Sequence, residues 1–125
     1  MHELSIACEL VESVDAAARQ AGATRVTVVH MRLGKLSGVV SDSLQFGYDI
    51  AAKGTLLEGS QLLIEELPVV IYCDRCASEV ELPGMQNYNC PNCGTPSRHI
   101  RQGKEMEIRS MEVEMEAVPE PWVNA

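Results

Sequence analysis

Four of the five cysteines form two Cys-x-x-Cys pairs, which are the strongest chemical signal in the 125-residue sequence. Cys73 pairs with Cys76 and Cys90 with Cys93, and 13 residues lie between the pairs. Each pair presents two thiolates on one side of a tight turn, and two facing turns complete a tetrahedron of Zn–S bonds of about 2.3 Å. We predict a structural zinc site, because four thiolates leave no coordination position open for catalysis. Two redox disulfides or an iron centre of rubredoxin type are the alternatives.

The amino terminus offers a second set of metal donors. The α-amine of Met1, the amide nitrogen of His2 and the His2 ring can chelate one ion through adjoining five- and six-membered rings. The amide nitrogen of Glu3 completes four nitrogens in a plane. Square-planar nitrogen coordination suits Ni(II) or Cu(II) but not Zn(II). A frayed chain end is the alternative interpretation of the same residues.

Two more residues, Cys8 and His99, are of a type that binds metals. Cys8 lies beside the apolar stripe of the first predicted helix, and we predict that it is a small core residue. Helical geometry turns its thiol away from residue 2, which argues against a nickel thiolate. His99 follows Cys93 by six residues, and we predict a surface histidine rather than a zinc ligand.

A helix, a strand, a second helix and a second strand are predicted in the first 67 residues and must position the N-terminal donors. Apolar residues at three- and four-residue steps predict the first helix, which Gly22 closes. The next stretch is rich in β-branched residues. It has apolar side chains at both odd and even positions, as in a strand covered on both faces. Ser41 is predicted to cap the second helix, which ends before Gly54. The predicted bounds are 4–21, 24–33, 41 onward and 61–67.

Residues 69–104 have a different character from the rest of the chain. The segment holds the four paired cysteines, a concentration of proline and glycine between Pro83 and Pro96, and little helical periodicity. Such a segment needs a metal in addition to a hydrophobic core, and removal of that metal should unfold it.

Acidic and apolar residues alternate again from Glu105 to Glu116. The apolar positions are even before Arg109 and odd after Ser110. A strand cannot change phase without turning its face, so we predict a bulge or bend at these two residues. The later half of this strand is expected to return to the first sheet.

Composition excludes several classes of protein. The formal charge of −8 argues against affinity through phosphate neutralisation, and an aromatic content of 4% argues against a deep aromatic pocket. No apolar run reaches the roughly 18 residues of a membrane span, and the first residues lack the basic start of a signal peptide. We predict a cytoplasmic protein with no nucleic-acid or membrane partner. No nucleophile elbow, phosphate loop or HExxH motif occurs, which argues against an enzyme.

Four sequence motifs resemble the HypA/HybF family of nickel metallochaperones, and the resemblance runs from Met1 to about Glu116. They are MHELS at the start, RLG at 32–34, SDSL at 41–44 and the paired Cys-x-x-Cys motifs. With the predicted elements, the resemblance implies an α+β fold with two helices on an antiparallel three-stranded sheet and an inserted four-cysteine zinc ribbon. The expected domains are 1–68 plus 105–118 for nickel, 69–104 for zinc, and a flexible tail at 119–125.

The resemblance also implies a function. A protein of this family would deliver Ni(II) to the precursor of the [NiFe]-hydrogenase large subunit, working with the GTPase HypB. Its nickel ligands map onto the Met1 amine, the ring and backbone nitrogens of His2 and the backbone nitrogen of Glu3, whose carboxylate could orient His2 or contact a partner. Asp42 is a further candidate near the metal, or simply an acid stabilised by the start of the second helix.

The partners and competing functions stay open at this point. Urease maturation factors and a homodimer are possible, since family members can be monomers or swapped dimers. A zinc-ribbon interaction adaptor without a second metal is the alternative function, and a thiol oxidoreductase is a third. Six acidic residues and one basic residue give residues 105–125 a charge of −5, so we expect a partner to meet this segment with basic residues.

Overall fold

Two helices and six strands make up residues 3–83 and 87–116, the part of the chain that the computed structural model describes. This arrangement confirms the predicted α+β class. Neither helix of these residues is long and apolar enough to cross a membrane. The elements are α1 Glu3–Gln20, β1 Ala23–Gly34, α2 Ser41–Ala52, β2 Gln61–Leu67, β3 Val70–Cys73, β4 Ser78–Glu81, β5 His99–Gln102 and β6 Met106–Met115.

The two helices pack closely at the start of α1. The apolar stripe of α1 is buried at five positions, as its periodicity predicts. Gly47 of α2 permits the close approach, because a Cβ atom there would lie 3.2 Å from the Cα of Leu4 and 3.3 Å from the Cβ of Ala7. The first turn of α1 is therefore held against the first half of α2. The buried residues of α1 are Ala7, Leu10, Val11, Val14 and Ala18.

The first sheet has the strand order β2-β1-β6, and it is mixed. β1 pairs with β6 in the antiparallel direction, which confirms that the late strand returns to this sheet. The prediction of an antiparallel sheet is wrong for the other pairing, because β1 and β2 are parallel. The reason lies in the connection: α2 carries the chain back across the sheet, so that β2 starts from the same end as β1.

A bulge in β1 explains why apolar residues occur at both odd and even positions of this strand. Val26 and Val29 differ in parity, yet both are fully buried, because the pairing with β6 shifts between Val26 and Val28. The Thr27 hydroxyl in this bulge donates a hydrogen bond of 3.1 Å to the carbonyl of Glu112. The prediction that β1 is covered on both faces is therefore wrong, and both valines face the helices.

A second bulge lies in β6, where the phase change predicts it. His30 pairs with Ser110 and Met31 pairs with Ile108, so Arg109 is the extra residue. The bulge lets Ile108 and Met111 both face the helix side of the sheet, opposite Met31 and Val29.

The second sheet contains β4, β3 and β5 in that order, and both pairings are antiparallel. Its buried cluster is small and includes two of the cysteines. Leu36, from the loop after β1, packs against this cluster. The buried members are Val69, Ile71, Cys73, Leu82 and Cys90.

Backbone hydrogen bonds join the end of β1 to the segment that leads into β6. The amide of Gly34 donates to the carbonyl of Glu105 at 2.7 Å, and the amide of Leu36 donates to the carbonyl of Gly103 at 2.6 Å. A Cβ atom on Gly34 would overlap the Gly103 carbonyl, so the sequence needs glycine there.

Replacement of Gly34 by alanine is expected to destabilise the protein by about 3 kcal/mol, because the methyl group has to displace backbone rather than a flexible side chain. Urea unfolding followed by circular dichroism measures this loss. Gly38→Ala is the control, since Gly38 has a φ of +77° but open space around it, and it should cost only about 1 kcal/mol. Equal losses in the two variants would show that the steric argument is wrong.

Candidate metal centres

The four paired cysteines converge at the end of β3, where the β3–β4 turn meets the connection from β4 to β5. Cys73 ends β3, and Cys90 and Cys93 lie in the connection from β4 to β5. The four Sγ atoms all lie within 4.8 Å of one another, with 3.5 Å between Cys73 and Cys93 and 3.9 Å between Cys76 and Cys90. A tetrahedron with Zn–S bonds of about 2.3 Å has S···S edges of about 3.8 Å, so the donor set fits a zinc ion.

The two Cys-x-x-Cys turns share a backbone form. The residue after each second cysteine has a left-handed conformation, with a φ of 53° at Ala77 and 76° at Gly94. The predicted positive φ at Gly94 is therefore confirmed. Ala77 is the one non-glycine residue with positive φ among the described residues, and that conformation costs an alanine roughly 1 kcal/mol. Two turns of one shape, one of them strained, indicate that the backbone is arranged around the sulfur atoms.

The contacts between sulfur atoms argue against a pair of redox disulfides. Sulfur contacts of 3.5 Å and 3.9 Å join cysteines of different motifs, whereas a redox Cys-x-x-Cys motif closes its disulfide within the motif. All four cysteines are free thiols, and Cys73 and Cys90 are only 1% and 2% exposed. The geometry therefore favours a shared metal over thiol exchange.

Thr95 changes the pKa of a cysteine in the cluster, although no sequence motif marked this residue. Hydrogen bonds from its side chain and backbone favour the thiolate and lower the pKa of Cys93 to about 6, with the Thr95 hydroxyl 3.2 Å from the sulfur. Hydrogen bonding to Cys93 and Cys73 raises the pKa of the Cys76 thiol to about 12. Cys93 therefore ionises before Cys76, and a cation among the sulfur atoms would favour the thiolate form of both. The only signal for Thr95 was its position two residues after the last ligand.

At the amino terminus, Met1 and His2 lie outside the described residues, and Glu3 is the first residue that the structure places. The backbone amide of Val40 donates a hydrogen bond of 3.4 Å to the Glu3 carboxylate. Asp42 is exposed in the first turn of α2, two residues after Val40. The structure thus brings the start of α1 to the start of α2, a contact that periodicity alone did not indicate.

The predicted cap of α2 is wrong. Ser41 is the first residue of the helix, the N-cap is Val40, and the cap residue makes no side-chain hydrogen bond to the helix. The Glu3 carboxylate instead bonds the Val40 amide, so a group from α1 contacts this end of α2. A tertiary contact has replaced the local one.

The core prediction for Cys8 is also wrong, because Cys8 is exposed. It lies about 100° around the helix from Ala7, on the edge of the stripe that faces the core. His99 is exposed, as predicted, and lies 3.8 Å from the Asp74 carboxylate. The metal-binding cluster found among the described residues contains the four cysteines and not His99.

The sequence matches a family model described as hydrogenase/urease nickel incorporation metallochaperone HypA, over residues 1–113. A hydrogenase maturation factor HypA from Roseiflexus sp. (strain RS-1) is 54% identical over 114 residues, covering 91% of this chain and 93% of the relative. The corresponding factor from Chloroflexus aggregans is 46% identical over 112 residues, covering 90% of this chain and 98% of the relative.

Two solved structures share the fold. The solution structure of the Ni metallochaperone HypA from Helicobacter pylori aligns with a TM-score of 0.64 at 22% identity, over 93% of this chain and all of that one. A second solution structure, of a HypA protein, aligns with a TM-score of 0.68 at 21% identity, over 93% of this chain and 98% of that one.

Proposed function

The chain belongs to the HypA family of nickel-incorporation metallochaperones, which are maturation factors and not enzymes, and we propose how it handles the metal. It binds Ni(II) through the amine of Met1, the ring and backbone nitrogens of His2 and the backbone nitrogen of Glu3. It then delivers the ion to the precursor of the [NiFe]-hydrogenase large subunit in the cytoplasm, with a HypB-type GTPase as partner.

The contact between Glu3 and Val40 is the observation that best supports this proposal. A Ni(II) site built on a free chain end must still be presented to an acceptor at a defined place on the protein surface. The hydrogen bond to Val40 and the close packing at Gly47 fix residue 3 against α2, and the donors Met1 and His2 are attached directly to it. The carboxylate of Glu3 therefore anchors the site while its backbone nitrogen serves as a ligand.

Asp42 is a weaker candidate for the same site. Its carboxylate lies in the first turn of α2, at the helix end that Glu3 contacts, and it is exposed. In this position it can attract the cation and offer an oxygen ligand when nitrogen donors are given up to the acceptor. The same position also suits an acid that only stabilises the helix terminus.

The donor chemistry suits delivery rather than permanent binding. In a chelate of an amine and deprotonated backbone amides, the metal competes with protons for every nitrogen. Binding therefore weakens stepwise as the pH falls or as an acceptor replaces the nitrogen ligands. A chain end also lets an acceptor remove the donors one at a time.

The second metal, at the four cysteines, is proposed to be structural Zn²⁺. With two metals, the chain has a nickel domain of residues 1–68 plus 105–118, a zinc domain of residues 69–104 and a tail of residues 119–125. Urease maturation factors and a second copy of the chain are further proposed partners of the nickel domain.

An extra glycine before Met1, as left by cleavage of a tag, should lower nickel affinity by at least about tenfold, because it converts the primary amine into an amide. Native mass spectrometry with added Ni(II) measures nickel and zinc occupancy together. The matched control carries the extra glycine after Ala125 and should bind nickel as the unmodified chain does. Unchanged binding by the N-terminally extended chain would place the nickel site elsewhere, and zinc alone in all three chains would favour an interaction adaptor.

A further inference from the structure

β6 forms one edge of the first sheet and is ten residues long. An edge strand has main-chain donors and acceptors that no neighbouring strand uses, so it is a template for a further strand. At the opposite edge, the Leu62 carbonyl of β2 already accepts a hydrogen bond of 2.6 Å from the Gln45 side chain. β6 is therefore the edge at which the sheet is more readily extended.

An open groove runs between β6 and α1 on the helix side of the sheet. It contains two cavities of about 250 Å³ and about 180 Å³. Apolar side chains predominate in its lining, and two of them, Met106 and Ile108, are 47% and 40% exposed. An added strand next to β6 would direct every second side chain into this groove. The apolar residues that line it are Ile6, Leu10, Val14, Ala17, Met31, Met106, Ile108 and Met111.

The opposite face of β6 is acidic. Glu112 and Glu114 alternate with Met111 and Val113, and both glutamates are exposed, although one oxygen of Glu112 also accepts a hydrogen bond of 2.7 Å from the His30 ring. The register places Glu112 opposite Val28 and Glu114 opposite Arg25, on the side of the sheet away from the buried Val26 and Val29. A strand paired with β6 thus meets an apolar groove on one face and carboxylates on the other.

We propose that the edge of β6, together with the groove beneath α1, binds an extended segment of a partner protein in which apolar and basic residues alternate. The apolar residues enter the groove, and the lysine or arginine residues pair with Glu112 and Glu114. Side-chain alternation with a period of two matches both faces at once, whereas a helical segment cannot pair its main chain with the edge of β6.

The charge of β6 argues against a second copy of the chain as the occupant of this edge, whatever other surface of the nickel domain a dimer uses. Between Glu105 and Glu116 the segment carries five glutamates and one arginine, so two copies of β6 side by side would place like charges against each other. The acidic edge therefore disfavours self-association and favours a basic partner. None of the described residues that form this surface is a proposed nickel ligand, so its test does not depend on nickel being bound.

The test uses the full zinc-loaded chain and an eight-residue peptide of alternating valine and lysine, with both ends capped. NMR titration should shift the backbone amides of β6, and calorimetry should give an affinity that falls as salt is added. The control peptide has the same composition arranged as four valines followed by four lysines. It should bind at least about fivefold more weakly, because it cannot satisfy both faces of β6.

Two pairs of variants separate the parts of the surface. Glu112→Gln with Glu114→Gln should weaken peptide binding about fivefold, while Glu79→Gln with Glu81→Gln, on the edge strand β4 of the other sheet, should not. Ala17→Gln, which fills the groove, should weaken binding, while Ala16→Gln, outside the groove lining, should not.

Equal binding of both peptides, or no binding at 1 mM, would overturn the proposal. A dimer of the chain that Ala17→Gln dissociates would overturn it in favour of a second copy.

Discussion

Replacement of His2 by alanine is expected to lower Ni(II) affinity by more than about 100-fold, since even the outer-shell partners of metal ligands are worth about 10- to 100-fold. The change removes the ring nitrogen, and with it one of the four donors and one of the fused chelate rings. Without that ring the remaining amine and amides cannot hold nickel in a plane at neutral pH. Native mass spectrometry gives the metal count, and hydrogenase activity in cells that carry only the variant gives the consequence for maturation.

His99→Ala provides the matched control for this experiment. It removes an exposed imidazole elsewhere in the chain but leaves the N-terminal donors intact, so nickel binding and hydrogenase maturation should be unchanged. Zinc content and the circular dichroism spectrum should be the same in the wild type and both variants. Normal maturation in cells with only His2→Ala would contradict the proposed role of the amino terminus in nickel delivery.

Loss of zinc is expected to unfold the second sheet while the first sheet and both helices persist. The buried cluster of the second sheet has only five members, and two of them, Cys73 and Cys90, are proposed zinc ligands. A core of this size does not offset the conformational entropy of the segment, and zinc binding supplies on the order of 10 kcal/mol in comparable small sites. Chelation, or Cys73→Ser, should therefore abolish hydrogen-exchange protection in β3, β4 and β5.

The first sheet has its own buried cluster of fifteen residues and does not depend on the cysteines. The helical circular dichroism signal and exchange protection in β1 should therefore survive chelation. Cys8→Ser is the control variant, because Cys8 is an exposed thiol outside the cluster and should leave zinc content and protection unchanged. Protection of β3 that persists after complete zinc removal would show that the site is not structural.

Local patterns identified the elements that depend on local physics. Periodicity gave both helices and the three strands of the first sheet to within a residue or two, because each element buries one face and the sequence records that face. The phase change at Arg109 predicted a bulge for the same reason. The cysteine spacing predicted a metal cluster because a tight turn brings residues i and i+3 to one side whatever the rest of the fold does.

The errors occurred where a distant segment determines the local structure. Val26 and Val29 lie on the same face of the sheet because of a bulge in the pairing with β6, which is more than 80 residues away in the chain. Ser41 was expected to cap α2, but Glu3 from α1 bonds the Val40 amide at that end. Cys8 lies near enough to the apolar stripe to suggest burial, yet the positions of α2 and the sheet leave it exposed.

The sequence by itself determined the α+β class, the positions of both helices and of the three strands of the first sheet, the four cysteines of the metal cluster and the family, because these depend on residue types and short spacings. Only the tertiary structure decided the parallel pairing of β1 with β2, the contact of Glu3 with the start of α2 and the open groove along β6. Each of these features brings together segments whose relative position depends on packing, and no local pattern in one segment specifies the other.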